Sequence, residues 1–539
     1  MQFSEEQQIA YEIFKSGKNM FLTGPGGTGK SAFIRYIQEE SFRKGKDIQI
    51  CAMTGCAAVM LECKAKTIHS WAGIGLCTEN REKMVERVSR NRYAKATWKA
   101  VDILVVDEVS MMSQKIFETL DAIGKHIRRN RRPFGGIQLL FTGDFYQLPP
   151  VSKDKGIIAN PEDKIESNFC FQSSLWNDTF TWENHISLIK IFRQTDLVYQ
   201  KILNQIRKGA LKQSSYNILM KQIGKEMPQI SGTQFKPTKL YPTRNLAKMV
   251  NEEEMSNLHT EATLFEIKKR YDLEMTKAEQ AIQMCFSKEQ KDKELAYLQG
   301  NLLCDPVLHL KVGTQVMCLV NIRLNNGDMI CNGSQGIVVR MTEPTTILRQ
   351  SASMGPTTES VSLPVVKFRQ GNYEMTMDYH VWTSANIPGI GVAQIPLIHA
   401  WALTIHKSQG STLEMAEIDA GSGIFECGQT YVALSRVKSL EGLFLSAFDP
   451  SRIKINGAVR DFYEKMELNA KTHSTSVLFE DYAYIPESGP KLNSDGLKQV
   501  SILSMSSNTE VVAEVVVSKL AHDEIDQDVP IAVAVPVPT

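Results

Sequence analysis

The chain has 539 residues, 42% of them apolar and 22% charged, with a net charge of +1. That length and balance supply enough apolar surface for two to four packed domains, and they exclude a uniformly basic chain, so any nucleic-acid contact must come from local patches. No apolar run reaches the roughly 18 residues of a membrane span; the start MQFSEEQQIAYEIF has no signal or transit character; and the ten cysteines, without CxxC or Cys/His metal spacing, point to reduced thiols in an intracellular setting.

Residues 1–185 alternate apolar runs (MFLT, IQICAM, ILVVDE, IQLLFTGD) with helical periodicity, the pattern of an α/β fold with a parallel, doubly wound sheet. At the start, Ser4-x-x-Gln7 reads as a helix capping box. It reads equally as an amide placed to meet an adenine edge, and the two are compatible. Next comes Gly24-Pro25-Gly26-Gly27-Thr28-Gly29-Lys30-Ser31, which fits GxxxxGK[ST] between a strand and a helix. Such a loop aims backbone N–H groups at phosphate oxygens. Lys30 is placed for the β/γ-phosphates of ATP and Ser31 for Mg²⁺. At the end of ILVVDE, Asp107 is the second Mg²⁺ partner and Glu108 the group that polarises the attacking water.

Residues 81–100 carry seven Lys/Arg against two Glu. The run IRRNRRPFGG, 127–136, reads as a solvated helix end, with phosphate contact as the alternative. A second α/β alternation begins near Ile186. Residues 252–300, rich in Glu and Lys, are expected as exposed helix. Residues 307–383 change to short strands and turns, which implies a small β module inserted into the second α/β region. α/β patterning resumes at PLIHAWALTIHKSQG and runs to about residue 465. The remaining Ser/Asn-rich and Val/Pro-rich sequence is expected to be disordered or weakly attached.

Two arginines, Arg193 in IFRQTD and Arg436 in GQTYVALSRV, are each either surface residues or the positive charge that γ-phosphoryl transfer needs. TIHSW and TIHKSQG gather hydroxyls, imidazoles, an indole and a lysine, a set suited to a single strand held without sequence reading. Trp71 is either a stacking ring or core. Trp401, in an apolar strand, is expected in the core.

Taken together, these motifs resemble the Pif-type (petite integration frequency) DNA helicases of superfamily 1B. FSEEQ is similar to the family's Q motif, GPGGTGKS to motif I, AMTGCAAVML to Ia, TIHSWAGIG to Ib, VVDEVSM to II, GDFYQLPPV to III, FRQTD to IV, ALTIHKSQGSTL to V and GQTYVALSRV to VI. The resemblance covers roughly residues 3–465. It implies two RecA-like P-loop NTPase domains with an inserted small β-barrel module, ATP between the domains, and 5′→3′ movement on DNA.

The boundaries that go with it are 1–185 for the first domain, with a wedge insertion at about 75–100; 186–305 and 396–465 for the second; 306–395 for the module; and 466–539 for a tail. Carried over by position, the nucleotide and catalytic residues are Gln7, Gly27, Gly29, Lys30, Ser31, Asp107, Glu108, Gln147, Arg193 and Arg436, with Gln147 sensing the γ-phosphate. The DNA residues are Thr54, Gly55, Thr67, His69, Ser70, His406, Lys407 and Ser408. The implied partners are single-stranded and 5′-tailed duplex DNA, with RNA–DNA hybrids and G-quadruplexes left open, handled by a monomeric motor in replication, repair, recombination or telomere maintenance. Trp71 stands where the family commonly has phenylalanine, 81–100 shows no hairpin turn, and 252–300 is longer than the usual connection. A RecD-like motor subunit and a P-loop ATPase that remodels protein are the competing readings.

Overall fold

Apolar runs of four or five residues are too short for buried helices and form strands instead. In a computed structural model they build a sheet of β1 (Met20–Thr23), β2 (Ile48–Ala52), β3 (Lys66–Thr67), β4 (Ile103–Asp107), β5 (Gln138–Thr142) and β6 (His185–Ser187), in the order β3-β2-β4-β5-β1-β6. The pairings are all parallel. The residues described are 3–61, 63–75, 77, 79–150, 168–226, 236–324, 329–330, 332–343, 345–351, 355–369, 373–384 and 386–473.

Period-two alternation divides the strands between two cores. Met20, Leu22, Ile103 and Val105 pack with Ala10 and Phe14 of α1 (Glu5–Lys15) and Phe33, Ile34 and Ile37 of α2 (Lys30–Arg43). Phe21, Leu104 and Val106 face the other way, onto Phe117, Leu120 and Ile123 of α5 (Gln114–Arg128). The basic 81–100 stretch lies on this second face as two helices, α3 (Arg81–Arg90) and α4 (Arg92–Ala100), which bury Met84, Val88 and Trp98 and leave their charges outward. The run at 127–136 is more than a solvated helix end. Arg128 donates to the carbonyls of Gly135, Trp98, Lys99 and Val101.

A second parallel sheet comprises β7 (Thr238–Tyr241), β8 (Ala402–Thr404), β9 (Ala416–Ala420) and β10 (Leu443–Phe448), in the order β8-β7-β9-β10. Helix α6 (Leu197–Arg207) and the short α8 (Gln429–Leu434) pack with it. Neighbouring strands β7 and β8 are separated by the insertion, whose main sheet orders Glu374–Thr376, Pro364–Phe368, Gln335–Met341, Gln315–Cys318 and Leu397–His399, all antiparallel. The expected barrel is not seen among the described residues: this sheet is open, with its first and last strands unpaired to each other.

The 252–300 segment is also not uniformly helical. Thr263–Glu266 pairs with Val307–Leu310, and Lys268–Arg270 with Gly391–Gln394, before the chain returns to helix Lys277–Met284 and α7 (Lys288–Asn301). Sequence periodicity misses strands this short because their partners lie tens of residues away. Helix α9 (Gly457–His473) runs through the expected boundary at 465 and places Val459, Phe462, Tyr463 and Met466 in the second core of the first sheet. The rest of the expected tail, 474–539, lies outside the described residues.

His185 opens β6 in this core. Its Nε2 accepts from the Trp176 indole N–H at 3.0 Å and its Nδ1 faces the Thr181 carbonyl at 2.9 Å, which fixes one neutral tautomer. Burial pushes its pKa down to about 4, since protonation would set a second N–H against the indole. A depressed folded pKa means stability is present above the ordinary histidine value and lost as pH falls from about 6.5 toward 4, by on the order of 3 kcal/mol. Thermal unfolding at stepped pH should show this acid limb, and a folded His185→Gln variant should show a shallower one.

Candidate functional site

Parallel strands present their carboxyl ends together, so β1, β4 and β5 deliver three loops to one edge. After β1 the chain enters the glycine loop. Gly29, at φ 85°, is the N-cap of α2 and offers no side-chain cap, which leaves first-turn N–H groups facing outward. A Cβ on Gly29 would stand 2.8 Å from Gln7 Nε2 and 3.6 Å from the ring of Phe192, which is half exposed. A Cβ on Gly27, at φ 86°, would collide with the Arg193 Cβ at 2.4 Å. These two positions accept glycine for both reasons at once, backbone hand and space.

Lys30 folds back, donating to the carbonyls of Gly24 at 2.7 Å and Pro25 at 3.0 Å. Burial lowers its pKa against the pull of Asp144, Glu108 and Asp107. Thr28 closes the loop by donating to Pro25 O at 3.0 Å, and Ser31 is exposed on the first helical turn. Gln7 makes the capping box with Ser4, as one reading expected, and also donates from Nε2 toward Thr28 O at 3.5 Å, which sets its amide against the phosphate loop.

At the end of β4, Asp107 is buried, accepts from Thr142 Oγ1, and takes the Glu108 N–H at 2.9 Å. Burial raises its pKa, opposed by those donors and by Lys30. Glu108 sits in left-handed backbone at φ 55°, ψ 41°, a strained setting for a non-glycine residue, of the kind that recurs where a side chain must be aimed. Burial and the Asp107 charge push its carboxyl up to about 7, where it can take up or release a proton near neutrality.

The chain beyond β6 supplies the cations. A Cβ on Gly26 would lie 3.3 Å from Arg193 Nη1 and 3.4 Å from Arg436 Nη2. Arg193 donates to Ser435 O at 3.2 Å; Arg436 donates to Val432 O at 2.8 Å and Ser435 Oγ at 2.7 Å. Arg436 is 2% exposed. Burial, then Arg436, holds Arg193 down to about 9, and burial lowers Arg436 in turn. Tyr431 accepts the Gly26 N–H at 3.0 Å, and Gln194 donates to the carbonyls of Ser435 and Val437. Neither residue stood out in the sequence, although both lie within motifs read there. Gln147 is buried on the loop after β5, where Gly428 packs against its carbonyl.

The residues expected to hold a strand lie on a neighbouring surface. Thr54 caps the short helix Gly55–Met60, accepting from Ala57 N at 3.2 Å, and Gly55 has Asn301 of α7 where a Cβ would be. Thr67 caps Ile68–Trp71 and pairs with the Tyr297 hydroxyl; Ser70 accepts from Asn386 at 2.9 Å. His69 is partly buried, with its pKa lowered by that burial. His406 and Lys407 are exposed, and His406 stacks on Phe425. Gly410 approaches Met60, which brings the 406–410 turn to the Gly55–Met60 helix. Ser408 is buried and its hydroxyl is spent on Ile405 O at 2.9 Å. Trp71 is core: it lies 4.7 Å from Trp98, whose indole N–H donates to Ala72 O. Trp401 is buried as expected.

Comparison with known proteins follows the same outline. The model of the PIF1-like helicase family matches residues 2–218, and that of the 2B domain of the DNA helicase Pif1 matches residues 295–341. The ATP-dependent DNA helicase RRM3 of Saccharomyces cerevisiae is 32% identical, with 86% of this chain and 67% of that protein aligned. The ATP-dependent DNA helicase PIF1 of Danio rerio is 33% identical over 86% of this chain and 64% of its own length. The chain thus spans about two thirds of the length of these curated relatives. Among solved structures, Pif1 helicase from Candida albicans matches with a TM-score of 0.63 and 31% identity over 86% of this chain and 100% of that one. Pif1 from Bacteroides in complex with ADP-AlF3 and ssDNA matches with a TM-score of 0.55 and 25% identity over 88% and 98%.

The Gly27 contact is testable against a built-in control. Gly17 has the same backbone hand, φ 77°, but open space around it. Gly17→Ala should cost only backbone strain, about 1 kcal/mol, and leave nucleotide affinity intact. Gly27→Ala should weaken binding of a fluorescent ATP analogue by at least roughly tenfold, because the methyl must displace Arg193 from the loop (about 1.4 kcal/mol per tenfold).

Proposed function

This chain belongs to the PIF1-like helicase family, and on that premise we propose that it is an ATP-dependent DNA helicase that moves 5′→3′ on single-stranded DNA and opens duplex ahead of it. The observation that carries the proposal is the meeting of Arg193 and Arg436, both from the chain beyond β6, with Gly26 of the phosphate loop. One buried and one partly buried guanidinium group beside outward-facing loop amides form a cradle suited to a bound polyanion.

Triphosphate fits this cradle. Lys30 exchanges its two loop carbonyls for phosphate oxygens, α2 offers its uncapped N-terminus, and the arginines neutralise the transferring group. Gln7 and the Phe192 ring border the loop where an adenine would be read and stacked. Glu108 accepts the proton of the water that attacks the γ-phosphorus, ADP leaves, and a carboxyl poised near neutrality suits that transfer. Asp107 and Ser31 are the oxygen donors for Mg²⁺, which supplies charge neutralisation when bound. Gln147 reports the γ-phosphate to the loop after β5.

The strand runs over Thr54, Gly55, Thr67, His69, Ser70, His406 and Lys407, with Ser408 shaping the turn beneath it. Affinity should rest on phosphate contacts and fall with salt. The domain limits we propose are 1–185, 186–305 with 396–465, and 306–395 for the module, with α9 returning to the first sheet. A monomer acting wherever DNA is held, the nucleus of a eukaryote or the cytoplasm of a bacterium, fits this reading.

The direct test is ATP turnover with and without single-stranded DNA, then unwinding of 5′-tailed and 3′-tailed duplexes. Stimulation by DNA with a 5′-tail requirement is expected; turnover indifferent to DNA would instead favour a protein-remodelling ATPase. Lys30→Ala should abolish hydrolysis and unwinding in a folded protein. Glu108→Gln should bind ATP yet fail to turn it over. Arg436→Ala should lower the stimulated rate by roughly 10³–10⁵-fold, the range for loss of an arginine finger. Arg436→Lys should rescue poorly, because a point charge does not replace a planar fork. DNA binding without nucleotide should survive in both Arg436 variants, and its loss with turnover intact would move Arg436 to the strand.

A further inference from the structure

The most deeply buried ion pair among the described residues joins the loop after β5 to α6, beside the nucleotide edge rather than within it. Asp144, on the loop after β5, is 0% exposed. Its Oδ2 accepts from Arg207 Nε at 2.9 Å, and its Oδ1 accepts from Arg207 Nη2 at 2.8 Å, from the Tyr146 N–H at 3.2 Å and from the Tyr463 hydroxyl at 3.4 Å. The guanidinium lies over the Tyr146 ring at 4.5 Å and near that of Tyr463 at 5.4 Å, and the two rings stack 4.6 Å apart. The Tyr463 hydroxyl also meets Thr23 Oγ1 at 2.7 Å and accepts the Phe145 N–H at 3.1 Å. One phenol from α9 therefore touches the last residue of β1, where the phosphate loop begins, and the loop that carries Gln147.

The chain positions of these groups matter. Gly143 threads past the backbone of Val109 and Ser110, directly after Glu108. A shift of the Glu108 turn therefore presses on Asp144. At the other end, Arg207 is the last residue of α6, whose first turn follows Arg193 and Gln194. Eleven helical residues span about 16 Å, and Tyr199 pins the first turn of the helix by donating to Leu434 O at 2.7 Å. α6 is thus a short rod with a nucleotide-facing arginine at one end and the Asp144 fork at the other. Adhesion alone does not require such a pair, since apolar side chains of similar volume hold a buried interface at least as well. A two-pronged fork fixes one register, which a helix that must pass on a displacement requires.

We propose that Arg207 is a positioning residue that acts through Asp144, with Tyr463 as its clamp, to transmit the state of the nucleotide edge into α6 and so to couple ATP turnover to the strand. The inference rests on the helicase reading above and adds residues that reading does not use.

The test compares wild type, Arg207→Lys, Arg207→Gln and Tyr463→Phe. Two quantities are read: ATP turnover with and without a DNA oligonucleotide, and the ratio of DNA affinities measured with ADP-aluminium fluoride and without nucleotide. Arg207→Lys should keep the ATP KM and the nucleotide-free DNA affinity within threefold. It should cut DNA stimulation at least tenfold and bring the affinity ratio toward one. Tyr463→Phe, which removes one oxygen from a ring that stays packed, should lose a smaller part of both. If Arg207→Gln fails to fold, the lysine and phenylalanine variants still decide the matter. Wild-type stimulation and ratio in folded Arg207→Lys and Tyr463→Phe, even with a lowered melting temperature, would reduce the pair to a structural brace and overturn the proposal. A wild-type protein with no DNA stimulation would instead fail the helicase reading itself.

Discussion

Arg436, buried, and Arg193, partly buried beside it, have no carboxylate hydrogen-bonded to either among the described residues, and they are the constraint around which this molecule is arranged. Arg193 and Arg436 spend their N–H groups on the carbonyls of Ser435 and Val432 and on the Ser435 hydroxyl. Among the described residues, Glu108 is the carboxyl whose charge acts on both, and it is itself held up toward neutrality. Burying a cation without a partner costs several kcal/mol, so the arrangement persists only because packing elsewhere holds it. That packing consists of the Gln194 bonds to Ser435 and Val437, the Tyr199 bond to Leu434, and the glycine loop that leaves no side chain in the way. A bound polyphosphate would relieve that cost, which is a physical reason for these segments to pack around an anion.

The parts of this arrangement legible in the sequence are those whose chemistry is local. A phosphate loop is eight consecutive residues, and Asp107-Glu108 at a strand end is two, so spacing alone carries them. Arg193 and Arg436 were legible as the charge such a site needs, although nothing in an isolated arginine distinguishes it from a surface residue. What escaped depends on partners far along the chain. Tyr431 meets Gly26 across 405 residues and Arg207 meets Asp144 across 63. Whether Trp71 stacks on a base or on Trp98 turns on how a basic stretch folds back, and its burial decides for the core. The strands at 263–270 had too little length to show a period, and an amphipathic helix such as α9 carries no label for the sheet it will join.

Two of the contacts that join distant segments of the chain differ in kind. On the nucleotide side the joint is desolvated, bidentate and ringed by aromatic side chains, so it resists partial rearrangement and moves as a unit. On the other side, Thr67 meets Tyr297, Ser70 meets Asn386, and Asn301 stands over Gly55, all neutral polar groups of which Tyr297 is 42% exposed. Neutral hydrogen bonds at such a boundary exchange for bonds to water or phosphate with a net change of only about 1 kcal/mol each. On the proposed reading, a strand arriving at Thr67 and Ser70 competes with partners that are easily replaced, whereas Asp144 is fully buried. Hard on the side of the fuel and soft on the side of the strand is the mechanical asymmetry a motor needs. In the proposed motor, the first joint would keep the hydrolytic geometry in register while the second would release and regain its track at little cost per cycle.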